Sequence, residues 1–159
     1  MAHNRSRVLC LWYLTSVLIL PGCWFAEQTE HYPSSTIATG FSGDFWHLKP
    51  NAGNGEVFVV RQTSQTILPP FVGRQYAFVD IRPSLLLENS TLVVPSEGVD
   101  AIACQEVHPG YWCANAEGMV TVLRVSPDWV ELQIDLKAEA KSQGMTKKLI
   151  RGLAFKRSE

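Results

Sequence analysis

From Val130 to Lys137 apolar and polar residues alternate without a break: Val130, Leu132, Ile134 and Leu136 against Glu131, Gln133, Asp135 and Lys137. A two-residue period sends successive side chains to opposite faces of an extended chain, so this stretch predicts a strand with one face in a core and one in water. Met119 to Val125 precedes it across Ser126-Pro127-Asp128, a tight-turn tripeptide. Leu149, Leu153 and Phe155 bring the same parity back within Lys147 to Lys156, which gives a closing meander of three strands. Lys137 to Lys148 contains Ala, Glu and Lys, but it has no apolar stripe and includes Gly144. It reads as the loop between the last two strands rather than as a helix.

The same pattern, less regular, runs back through the chain. Phe41 to Leu48 is aromatic-rich, and Pro50 to Gly55 is a turn cluster ending in Asn-Gly, a hairpin signal. Val57 to Val60 has buried-strand composition, Gln75 to Ile81 alternates loosely, and Leu85 to Leu87 and Thr91 to Val94 are short apolar runs. Pro69-Pro70, Pro83 and Pro95 punctuate them. No stretch supports an amphipathic helix and no repeat period is visible. The expected fold is all-β, a small antiparallel β-sandwich or barrel of roughly seven to nine strands. Glu27 to Ile37 is polar, aperiodic and broken by Pro33-Ser34-Ser35, and it reads as a flexible tether.

The first 22 residues follow different rules. Arg5 and Arg7 precede a thirteen-residue apolar run from Val8 to Leu20, and Pro21-Gly22 breaks it. A membrane-spanning helix needs about 20 apolar residues, so this run suits an export signal better than a permanent span. Leu20, Gly22 and Cys23 resemble the lipobox of bacterial lipoproteins, with Pro21 standing where that family more often has Ala, Ser or Thr. The resemblance implies cleavage before Cys23, lipidation of Cys23, and attachment to the bacterial cell envelope. Trp24 after the cysteine, rather than Asp, implies outer-membrane sorting with the domain facing the periplasm. The resulting division is a signal peptide at 1–22, a lipidated N-terminus and tether at 23–37, and one β-rich domain at 38–159.

Charge and cysteines refine that division. Removing Arg5 and Arg7 with the leader lowers the basic count from 14 to 12 against 15 acidic residues, a net −3, which does not suit a nucleic-acid partner. Lys137 to Arg157 nevertheless holds seven Lys or Arg and one acid, Glu139. That is either a solvated edge or a patch toward anionic head groups. Cys10 leaves with the leader and Cys23 takes the lipid, so Cys104 and Cys113 remain, and outside the cytoplasm a pair is most simply a disulfide. The rival, a metal site from Cys104, His108 and Cys113, matches no zinc spacing. No cofactor is implied.

Candidate chemistry is sparse. Gly40-Phe41-Ser42-Gly43-Asp44 has the second glycine one place early for a nucleophile elbow and reads as a turn or bulge. His31, His47 and His108 read as solvated side chains, and the acids scatter over turns and outward positions. Two adjacent aromatic pairs, Phe45-Trp46 and Tyr111-Trp112, put one ring of each outside the core and form a candidate binding surface for carbohydrate or another envelope protein. The functional expectation is a non-enzymatic binding or assembly module, bound to the membrane through its N-terminal lipid. The alternative is a small envelope hydrolase, in which His47 or His108 meets a Ser and an Asp.

Overall fold

The computed structural model describes residues 24–44, 47–66, 71–107, 110–140 and 145–157. Cys23, Phe45, Trp46 and His108 lie outside them. Nine strands follow in chain order: β1 (Trp24–Asp44), β2 (His47–Ala52), β3 (Gly55–Thr66), β4 (Phe71–Ile81), β5 (Thr91–Val94), β6 (Val99–Val107), β7 (Gly110–Val125), β8 (Trp129–Ala140) and β9 (Met145–Lys156). They form one antiparallel sheet in the order β2-β1-β3-β4-β6-β7-β8-β9, with β5 paired to β7. The sheet does not close into a barrel. Instead β7 is shared, its first half on β6 and its second half on β5 and β8, so the sheet folds over itself into two packed layers.

Between the layers lies the main core. The inward residues of β3, β4 and β6 (Phe58, Val79, Val99) meet those of β7, β8 and β9 (Val120, Leu132, Phe155). The rings of Phe58 and Phe155 meet edge-on with centroids 5.2 Å apart. The unbroken alternation in β8 is what this packing requires, since Val130, Leu132, Ile134 and Leu136 all enter the core. A single pleated strand can seal one layer in this way.

A second, smaller core covers the outer face of β3, β4 and β6. At Pro33–Ser35 β1 shifts register and changes partner from β3 to β2. Its second half then lies over that face, placing Ile37 and Phe41 with Val57, Val59 and Phe78. The Asp80 carboxylate fixes the bend, accepting from Thr36 Oγ1 at 2.7 Å and from the Ile37 amide at 3.0 Å.

Four local expectations change. The segment expected as a tether is the first half of β1, paired with β3 from Trp24 to Tyr32. Its polar side chains mislead because they are satisfied laterally: Gln62 donates to Glu27 at 2.8 Å, and Arg61 pairs with Glu30 at 3.0 Å. Phe41 to Leu48 is not one strand, because Asp44 pairs with His47 across a reversal. The apolar run Leu85 to Leu87 is not a strand: Leu85 closes a 3-10 turn that begins at Pro83, and Leu86 and Leu87 follow it in irregular chain. The last loop is shorter than 137–148, since β8 runs to Ala140 and β9 begins at Met145. No helix among the described residues is long and apolar enough to cross a membrane.

Candidate functional site

One end of the molecule gathers the start of β1 and the β3–β4, β6–β7 and β8–β9 hairpins, as the register pairs Thr66 with Phe71, Val107 with Gly110 and Ala140 with Met145. Toward that end the inner face of the first layer changes composition row by row. Phe58 and Val79 are paired in one row of the core. The next row is Val60, Ala77, Ala103 and Ala114, each directly opposite the next across β3, β4, β6 and β7. The row beyond that is Glu27, Gln62, Gln75, Gln105 and Trp112. Large apolar side chains give way to methyl groups and then to amides.

Sheets stack about 10 Å apart, a distance that large side chains fill and alanines do not. The result is a cleft of about 520 Å³ between the layers. Val60, Ala77 and Ala103 line one wall, Leu136, Ala138 and Leu149 the other, and Gln62, Gln75 and Arg151 the mouth. Its size and mixture of apolar wall and few polar groups suit a small-molecule site.

Arg151 belongs to β9 and sits between Leu149 and Leu153 on the strand face that points into the core, directly opposite Ile134. Its guanidinium reaches the seam between β9 and β1 and donates to the Glu27 carboxylate at 2.6 Å. The same carboxylate oxygen accepts from Gln62 Nε2. Farther along the seam Thr29 donates to the Ala154 carbonyl at 3.1 Å. Arg157 donates to both Glu56 oxygens at 2.9 and 3.0 Å. Side chains therefore join β1 to β9 where the sheet is not closed.

His31 departs from the expected surface role, because it is only 7% exposed and its Nε2 lies 3.0 Å from Glu56. The sequence places it among polar neighbours, but its position opposite Phe58 turns it inward. Burial holds its pKa below the ordinary value, although the Glu56 carboxylate pulls the other way. Glu56 is likewise buried, contrary to the expectation that the acids occupy turns and outward positions.

No family model, curated protein or solved structure matches this chain.

Cys104 and Cys113 are bonded to each other, directly opposite on β6 and β7 with Cα atoms 4.1 Å apart. Tyr111 and Trp112 do not form one surface. Tyr111 lies on the outer face, its ring 5.7 Å from that of Tyr76, and burial and a hydrogen bond with Tyr76 push its hydroxyl pKa up. Trp112 has the opposite parity, in the glutamine row and half-buried. The Phe45-Trp46 pair falls outside the described residues. His47 opens β2.

The cleft residues escaped sequence reasoning, yet they leave a trace. Phe58-x-Val60-x-Gln62, Gln75-x-Ala77-x-Val79 and Ala101-x-Ala103-x-Gln105 share one pattern, reversed in the strand that runs the other way. An apolar-to-amide gradient in three successive strands signals a core that opens at one end.

Proposed function

We propose that the chain is an envelope lipoprotein, anchored through Cys23, that binds a small amphiphilic molecule in the cleft between its two layers. The observation that carries this reading is the row order of the inner face: large apolar residues, then alanines, then glutamines at the mouth. A core packed only for stability gains from filling such space, since unfilled apolar volume costs stability. Alanine on both walls keeps it open.

The anchor and the cleft support one another. β1 begins at Trp24, one residue after the lipobox cysteine, at the end where the cleft opens. A lipid on Cys23 then holds the mouth of the cleft beside the bilayer with no intervening tether. The described walls of the cleft are apolar, with Gln62, Gln75 and Arg151 at its mouth, a lining suited to holding an amphiphile.

The test is uptake of an uncharged apolar fluorophore by the purified full chain. Binding should be lost in Ala103→Phe and in Ala138→Leu, each filling one wall, while melting curves show both variants folded. Unchanged uptake in both variants would refute the cleft as the binding site.

A further inference from the structure

Resting on that reading, we infer that the cleft seats one acyl chain whose acidic head is held by Arg151 and Gln62, with Glu27 as an internal competitor for the head-group place. The ligand class is therefore a single-chain anionic amphiphile, or one chain of an anionic lipid.

The first observation is the position of Arg151. On β9 the inward parity reads Leu149, Arg151, Leu153, Phe155, so one charge interrupts an apolar face beside the cleft. Charge at such a position breaks the local pattern, and departures of this kind concentrate at working sites. The second is what its guanidinium holds. Glu27 Oε2 accepts from Arg151 Nη1 at 2.6 Å and from Gln62 Nε2 at 2.8 Å, so two donors from different layers already converge on one carboxylate oxygen. Donors fixed in that arrangement lose little freedom when another carboxylate or a phosphate takes the same place. Arginine suits either group because its planar fork matches their geometry.

Glu27 is the member that can leave. It is an exposed residue on the first strand, and its pair with Arg151 is open to water, where such a pair contributes little stability. Rotation into solvent frees both donors while β1 stays paired with β3.

The shape of the cleft limits the tail. Where alanines face each other across about 10 Å of sheet separation, the slot is about one hydrocarbon chain thick. Its walls offer methyl and leucine surface, and burying apolar chain there is the main driving force.

The experiment titrates the purified full chain with a fluorescent polyene fatty acid and, separately, with its methyl ester. The acid is expected to bind about tenfold tighter than the ester. Arg151→Gln should bring the acid down to the affinity of the ester, and Glu27→Gln should raise the affinity for the acid several-fold by weakening the internal competitor. Equal affinity for acid and ester in the unaltered chain overturns the head-group assignment and leaves the cleft reading standing, with Arg151 reduced to a guard on the seam. Loss of neither ligand in both Ala103→Phe and Ala138→Leu overturns the cleft reading itself. Competition with vesicles of anionic phospholipid then identifies the source. Displacement of the fatty acid supports a bilayer lipid, and retention supports a free acid.

Discussion

At His31 a single side chain couples packing to protonation. Its ring lies 5.1 Å from that of Phe58, and Glu56 and Arg157 are the charged groups that face it. Burial disfavours the charged ring more than Glu56 favours it, and Arg157 acts in the same sense as burial. The folded-state pKa is therefore below the ordinary 6.5, and the unfolded chain binds more protons just below that pH. Stability is full above pH 6.5 and declines as the pH falls through the folded-state value. The melting temperature is expected to drop between pH 7 and pH 5, and the slope should flatten in His31→Gln. Parallel slopes for the two proteins would show that the decline comes from other groups. Gly118 is a backbone counterpart. Its φ of +143° and the approach of the Asp135 carbonyl leave no room for a Cβ. Gly118→Ala should cost about 1–3 kcal/mol from backbone conformation alone, read by chemical denaturation. A loss under about 0.5 kcal/mol would mean that β7 can bend elsewhere.

Pairs of strands carry the next level of organisation. The disulfide joins β6 to β7 just before β7 leaves β6 for β5 and β8, and so it fixes the strand on which the fold-over turns. Closing a loop of about ten residues stabilises the chain by about 2.7 kcal/mol on the entropy model. The double variant Cys104→Ala/Cys113→Ala should lose about that much in urea titration, with the loss falling short if the reduced chain keeps residual structure. At the other edge side chains join β9 to β1, and Arg157, just past β9, joins it to Glu56 on β3. Arg157→Gln removes both bonds to Glu56 and leaves a buried carboxylate beside His31. Breaking a buried pair from one side costs about 3–5 kcal/mol, and the 29% exposure of the arginine side chain sets the expected loss below that range. A loss smaller than that of Arg151→Gln would contradict this ranking, since Arg151 is the more exposed of the two.

For the whole molecule the decisive question is orientation. Lipidation at Cys23 is expected to give a membrane-pelleting protein whose mature N-terminus, read by mass spectrometry, is diacylated or triacylated cysteine. Cys23→Ala should release or misprocess it, and an unmodified terminus at another residue would remove the anchor from the proposal. The glutamine row and the cleft mouth share the end of the sheet where β1 begins, so a lipid at Cys23 would put them at the membrane end. The β7–β8 turn at 126–128 lies at the opposite end.

Alternation in Val130–Lys137, the turn signals and the paired cysteines determined the all-β class, the closing meander and the disulfide. Each depends on local period or on counting. The strandedness of Glu27–Ile37 was not legible, because its polar side chains find their partners on β3 and β9, as Glu27 does with Gln62 and Arg151. The cleft was not legible for a related reason. Ala77, Ala103 and Ala138 are unremarkable in sequence and become a cavity only when register and fold-over set them facing one another. In the sequence Arg151 is one of seven basic residues between Lys137 and Arg157, in a stretch that reads as a solvated edge or a head-group patch. Only the tertiary structure decided that it stands at the mouth of an apolar slot, because parity along a strand gives the face of a residue, and the layer opposite gives that face its meaning.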